Sequence, residues 1–267
     1  MTARHLSRAF AGIFRREALR FVSQKARFVS ALVRPLVWLV VFAAGFRAVL
    51  GLSIIPPYKT YILYETYVVP GLAGMMLLFH GMQSALSMVH DRETGSMRVL
   101  LASPLPRWFV LAARLLASTL VALPMVYAFL IIARFWHMRP PLWGYAAALP
   151  AIVLAGLMLG ALGLLVSSLI RQIENFAGVM NFVIFPMFFS STALYPLWRL
   201  EEASAVLSGI AAANPFSHAV ELIRFALYLQ LNTLSLAIVV GCTAVFFAGA
   251  VLGYDPGRGL WRGRFVP

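Results

Sequence analysis

The chain has only two lysines, one cysteine and nine acidic residues among 267. Each scarcity removes a class of function. A phosphate-binding loop needs Gly-Lys-Ser/Thr, because its backbone amides and the lysine ammonium hold the phosphates together. Lys25 follows Gln24 and Lys59 follows Tyr58, so neither belongs to such a loop. Cys242 stands alone inside an apolar run, can form no intrachain disulfide, and reads as packing. The five histidines, His5, His80, His90, His137 and His218, have no metal-ligand spacing and read as structural residues. An H-E-x-x-H zinc motif and a G-x-S-x-G nucleophile turn are both missing. No catalytic or metal-binding residue is expected, and the chain reads as a protein that is not itself an enzyme.

What is there instead is apolar. Hydrophobic residues make up 61% of the chain and charged residues 12%, against about 45–50% and about 25% in a soluble domain. A bilayer accommodates that surface; a soluble fold of this length does not. The net charge of +13 then reads as the basic rim of a membrane protein rather than a nucleic-acid footprint. The expected fold is an all-α integral membrane protein of six spans, near 32–52, 68–89, 108–133, 145–169, 176–195 and 234–254. Each is close to the ~20 residues that cross a bilayer. Residues 1–30 are expected to form an interfacial helix: Leu6, Phe10, Ile13, Phe14 and Phe21 recur at helical spacing, with Arg4, Arg8, Arg15, Arg16 and Arg20 largely between them. Eight basic residues, Arg34 the last of them, precede Pro35. The positive-inside rule therefore puts the N-terminus in the cytoplasm. Six spans return the basic tail, 255–267, to the same side, which predicts a multi-pass protein of a bacterial-type inner membrane.

The fourth to sixth expected spans contain no Asp, Glu, Lys or Arg, and the third contains only Arg114. A proton- or sodium-coupled carrier needs an ionisable group within the membrane, so uphill transport would draw its energy from elsewhere. Gly156, Gly160 and Gly163 form a face of small residues suited to close helix packing. Two connections are long, His90–Arg107 and Pro196–Thr233. In the first, Thr94 or Ser96 is placed to cap a short helix over 97–102, with Met97, Leu100 and Leu101 exposed, and Pro104 and Pro106 to stop it. Such a helix suits a groove on a partner; the plain alternative is a solvated connecting loop. In the second, Leu200, Ala203, Leu207 and Ile210 make one helical stripe. Asn214-Pro215 breaks it, and Ala219, Val220, Ile223 and Leu227 make another, with Glu221 and Arg224 spaced to pair. Phe185, Phe188, Phe189 and Tyr195 are candidates for a substrate path, against the plainer reading as packing residues.

Four stretches resemble one family. Asp91-Arg92-Glu93-Thr94-Gly95-Ser96-Met97-Arg98, continuing through Leu101 to Pro104, is similar to the signature after the second span of type-2 ABC transporter permeases. Val69-Pro70-Gly71-Leu72 resembles that family's opening of the second span. Phe185-Pro186 through Tyr195-Pro196 resembles its segment ending the fifth, and Asn214-Pro215-Phe216 through Arg224 its N-P segment. The stretches stand in the family's order, and the resemblance covers residues 30–254.

The resemblance implies a permease subunit of an ATP-driven exporter. Two copies pair, each bound to a separate ATPase that carries the ATP and Mg, so this chain binds no cofactor of its own. The residues from Asp91 to Arg98, with Leu101 and Pro104, would couple to the ATPase. Short re-entrant helices before the last span would border the exit, with Phe185, Phe188, Phe189, Tyr195, Asn214, Pro215, Glu221 and Arg224 at the outer gate. The partners implied are the ATPase, a second permease copy, the lipid bilayer and an amphiphilic substrate, without nucleic acid. A self-sufficient channel or carrier, and a membrane assembly scaffold, are the readings from other classes.

Overall fold

The computed structural model describes residues 3–23, 25–46, 57–58, 62–95, 105–135, 138–170 and 172–254. They form ten helices and, among the described residues, no strand. These are α1 (Ala3–Ser23), α2 (Lys25–Phe46), α3 (Tyr64–Glu93), α4 (Arg107–Arg134), α5 (Leu142–Leu169), α6 (Ile173–Phe189), α7 (Leu197–Ala203), α8 (Ala205–Ala213), α9 (Pro215–Leu227) and α10 (Thr233–Gly253). Four of them, α3, α4, α5 and α10, are long and apolar enough to cross a membrane. Shorter apolar stretches lie at Val29–Val41 in α2 and Ile173–Phe189, where the first and fifth spans were expected.

Local chemistry sets several of the helix ends. Proline stands at the N-cap of α4, α5 and α7, where its fixed φ and missing N–H cost the helix nothing. Asn214 caps α9 through its side chain, which accepts from the Phe216 amide, and Pro215 follows at the first helical position. Asn232 caps α10 in the same way, accepting from the Ser235 amide. Gly95 ends α3 with φ +73°, the left-handed conformation in which a Cβ is penalised. The glycine of the D-R-E-x-G signature is therefore a helix stop.

α3 is the centre of the fold. It is buried through most of its length and touches α2, α4, α5, α6 and α9. Its crossing with α5 is close because both helices offer glycine. A Cβ on Gly81 would lie 2.9 Å from the Gly160 Cα, and one on Gly163 would lie 2.9 Å from the Gly81 carbonyl oxygen. Of the expected glycine face, Gly160 and Gly163 meet α3, while Gly156 meets Thr119 of α4. α10 packs on the far side of α5 and buries only Ser235, Val239 and Ala250, leaving an apolar outer wall suited to lipid.

Two expectations need correction. The stripe from Leu200 to Ile210 is not one helix: Ser204 is extended, at φ −167° and ψ 126°, and separates α7 from α8. Serine favours such half-in positions at helix starts over helix interiors. The helix expected over 176–195 begins earlier, at Ile173, and ends at Phe189. Beyond it the chain turns, with the Ser190 amide donating to the Pro186 carbonyl. The short helix expected over 97–102 lies outside the described residues.

Candidate functional site

The first three residues of the loop signature close α3, and each reaches a different part of the fold. Asp91 is buried; its Oδ2 accepts from Arg114 Nη1 of α4 at 2.9 Å and from Arg16 Nη2 of α1 at 3.4 Å. Arg114 also donates to Ser87 Oγ at 2.8 Å and lies 3.5 Å from Glu17 of α1. Arg92 donates to the Ile170 carbonyl at 3.3 Å, at the C-terminus of α5, and its guanidinium lies 4.7 Å from the centre of the Tyr254 ring. Glu93 Oε1 accepts from the Ile173 amide at 2.9 Å, the first residue of α6.

The signs match the helix dipoles. A cation sits at the C-terminal end of α5 and an anion at the N-terminal end of α6, the favourable pairing at each. Gln172, the N-cap of α6, makes no side-chain cap bond, so Glu93 supplies that cap from another helix. Consecutive residues of opposite charge thus clasp both sides of the α5–α6 turn, while Asp91 ties the same point to α1 and α4. Tyr254 completes the cluster through a 2.8 Å hydrogen bond with Ser167.

Of the other loop residues singled out, Thr94 Oγ1 donates back to the His90 carbonyl at 2.9 Å. Ser96, Met97, Arg98, Leu101 and Pro104 lie outside the described residues.

A second cluster sits at the opposite end of α3 and draws three signature stretches together. Arg224 of α9 is fully buried and ion-paired with Glu221. Its Nη2 donates to the carbonyls of Thr192, at 3.0 Å, and Tyr67, at 3.3 Å, and its guanidinium lies 4.0 Å over the Tyr67 ring. Burial disfavours the charge, but Glu221, and then Tyr67 and Tyr58, more than offset it and hold the group above the usual arginine range.

The turn after α6 is held from all sides. Tyr67 and Tyr64 donate to the Thr192 and Leu194 carbonyls at 2.8 and 3.0 Å, and the Thr192 amide donates to Ser217 Oγ at 3.1 Å. Asn214 Nδ2 donates to the Met187 carbonyl at 2.8 Å. Gly71 lies so close to this turn that a Cβ on it would meet the Ala193 carbonyl oxygen at 2.7 Å. The Pro-Gly stretch, the segment ending α6 and the Asn-Pro stretch therefore form one packed unit. Nearby, burial and then Tyr145 push the Tyr228 phenol up to about 12.

The aromatic residues considered for a path divide. Phe188 is buried against Phe216, and Tyr195 is half-buried in the core. Phe185 and Phe189 are exposed and stacked on one another with centroids 6.3 Å apart. With Phe182, 78% exposed, they run along one side of α6, and Trp38 of α2 meets Phe189 edge-on. Sequence reasoning missed the partners of both clusters: Arg16, Glu17 and Arg114 at one end, Tyr64, Tyr67, Thr192 and Ser217 at the other. Arg114, the one charge in the expected third to sixth spans, was the available signal.

Comparison with known proteins gives consistent matches. The family described as ABC-2 type transporter matches residues 8–228. A protein named as a transport permease, ycf38, of Cyanophora paradoxa is 25% identical over 213 residues, covering 77% of this chain and 70% of that protein. A protein named as a multidrug ABC transporter permease, YbhR, of Escherichia coli strain K12 is 30% identical over 164 residues, covering 60% of this chain and 43% of that one. Nodulation protein J of Rhizobium leguminosarum bv. viciae is 38% identical over 77 residues, 29% of each chain.

Proposed function

Because the chain belongs to the ABC-2 type transporter family, we propose that it is the membrane subunit of an ATP-driven exporter, paired with a second copy and worked by a separate ATPase. The observation that carries this reading is the clasp at the end of α3. A segment that leaves the membrane at Thr94 is bound, through three adjacent side chains, to α1, α4, α5 and α6. A push on the loop between His90 and Arg107 therefore reaches several spans together. The residues from Ser96 to Pro104 are the surface the ATPase meets; Asp91, Arg92 and Glu93 reach back to the neighbouring helices and pass the load on. Packed elements that slide past one another are an established means of switching a membrane domain between two openings.

In this reading α2 and α6 complete six crossings, α1 lies at the cytoplasmic membrane surface, and α7–α9 are the re-entrant part on the outer side. The termini, with the tail 255–267, are cytoplasmic, in an inner (plasma) membrane. The exposed side of α6, with Phe182, Phe185 and Phe189, faces the route between the two copies. ATP and Mg belong to the partner subunit.

The test is co-purification from detergent with an ATPase, compared between wild type and Met97→Asp. The expected result is an ATPase that accompanies the wild-type chain, depends on its presence for stimulation, and loses that stimulation in the variant. An unaccompanied chain that transports by itself in proteoliposomes would overturn the proposal.

A further inference from the structure

Arg34 is the residue this reading leaves unexplained. It lies in α2, and its guanidinium sits 4.2 Å above the Phe79 ring. Phe79 is at the middle of α3, twelve residues before Asp91, about 18 Å along the axis at 1.5 Å per residue. The arginine expected at the basic rim is instead level with the centre of the longest helix. Among the described residues it has no hydrogen bond or ion pair; its one recorded contact is the ring face. A cation at that depth is costly to keep and marks a functional place.

It borders a cleft, open at its mouth, between α1, α2, α3 and α4. The walls are amphiphilic: Met75, Met76, Met125 and Phe21 on one hand, His80 and Gln83 on the other. A second cleft adjoins it across Phe21, His80 and Gln83, and Arg20 and Glu17 line it. Arg20 Nη1 is buried without a hydrogen-bond partner. The acids nearby are engaged, since Glu17 faces Arg114 and Asp91 holds Arg114 and Arg16. Four arginines thus meet two carboxylates here, and the two left over, Arg20 and Arg34, are those that line the cavities.

We propose that this double cavity binds the phosphate head of an amphiphile, with Arg34 and Arg20 as its counter-charges and the methionine and phenylalanine wall receiving the start of its apolar part. Guanidinium groups match phosphate oxygens in a fork geometry, and their bonds to it are charge-assisted. The cavity also lies beside the exposed aromatic side of α6: Phe79, under Arg34, meets Phe185 edge-on with centroids 6.4 Å apart. The head site and the aromatic strip are therefore contiguous. As an account of the exporter's cargo this rests on the permease reading above, but the binding itself does not.

The test is direct binding to the full-length chain in dodecyl-maltoside micelles, without ATPase or nucleotide, read by fluorescence anisotropy. The probes are short-chain nitrobenzoxadiazole-labelled phosphatidic acid and the matching diacylglycerol, with inorganic pyrophosphate as competitor. Phosphatidic acid is expected to bind at least tenfold tighter than diacylglycerol, and Arg34→Gln and Arg20→Gln each to weaken it by about tenfold, the loss of a charge-assisted contact. Arg34→Lys keeps part of the affinity, and Arg199→Gln, at an exposed arginine elsewhere, changes nothing. The size-exclusion profile of each variant verifies that it is folded. Equal binding of the two lipids, or indifference to both Arg34→Gln and Arg20→Gln, would refute the site. Displacement of the probe by micromolar pyrophosphate would assign it to a free phosphate compound and refute the amphiphile. A chain that binds as expected but stimulates no ATPase sinks the exporter reading alone; one that couples to an ATPase without preferring phosphatidic acid sinks this inference alone.

Discussion

The two ends of α3 are fastened in opposite ways. At the N-terminal end one buried arginine and two tyrosines hold backbone carbonyls of a single turn, and glycine lets that turn lie against the helix. At the C-terminal end three consecutive charged side chains reach four separate helices through contacts of 2.9 to 3.4 Å; the Asp91–Arg114 pair is buried, and the contacts of Arg16, Arg92 and Glu93 are partly or fully exposed. Burial decides how much each arrangement contributes. A fully buried charge stripped of its partner costs several kcal/mol, whereas an exposed pair contributes about 0–1 kcal/mol. The first end is a weld; the second, apart from the buried Asp91–Arg114 pair, is a set of separable ties, and a segment that transmits motion needs ties of that strength.

The sharpest way to break the contrast is at Arg224. Arg224→Leu removes the guanidinium bonds to the Thr192 and Tyr67 carbonyls and leaves Glu221 without its cation, and is expected to cost about 3–5 kcal/mol. A large fall in the detergent melting temperature is the expected readout. Asp91→Asn comes next: it keeps an oxygen acceptor but removes the negative charge between Arg114 and Arg16, for roughly 1.5–3 kcal/mol. A loss at Asp91 as large as that at Arg224 would mean that both ends are welds.

Gly71→Ala probes the weld through sterics alone. Its Cβ would fall 2.7–2.9 Å from three atoms of Ala193, two of them backbone, and such overpacking costs about 1–3 kcal/mol. Gly178→Ala on α6, where nothing lies within 4 Å of the added carbon, is expected to be neutral or to stabilise by up to ~1 kcal/mol through helix propensity. Equal melting temperatures for the two variants would remove the argument for a tight turn against α3.

How much of this was legible in the sequence follows from the range of each signal. Local chemistry was readable: Asn214-Pro215 starts a helix, and Glu221 pairs with Arg224 one turn away. Both act within a few residues. The four long apolar helices were readable from composition and length. Contacts to backbone carbonyls were not, because a carbonyl has no residue identity; nothing in Tyr67 or Ser217 announces Thr192. Nor was the division of Phe185, Phe188 and Phe189, since in a helix apolar on every side periodicity does not separate the face that meets protein from the face that meets lipid. The place of Arg34 over Phe79 was not legible for a related reason. The residue adjoins a basic cluster in the chain, and counting basic residues takes no account of where α2 lies along α3.

Glu93 gives the smallest expected effect and the most specific one. Its carboxylate caps α6 from another helix, and Glu93→Gln keeps a side-chain oxygen for the Ile173 amide while removing the charge facing the helix dipole. The loss is that of a charge–dipole interaction at a partly exposed helix start, about 0.3–1 kcal/mol, too little to move the melting temperature much. Amide exchange resolves it. The first turn of α6 is expected to exchange a few-fold faster in the variant, with α4 and α9 unchanged, because the tie runs to that turn alone. If the loop works the spans through this clasp, the same variant should couple ATPase activity to transport less efficiently at nearly unchanged stability, whereas a residue of the weld should fail in stability first.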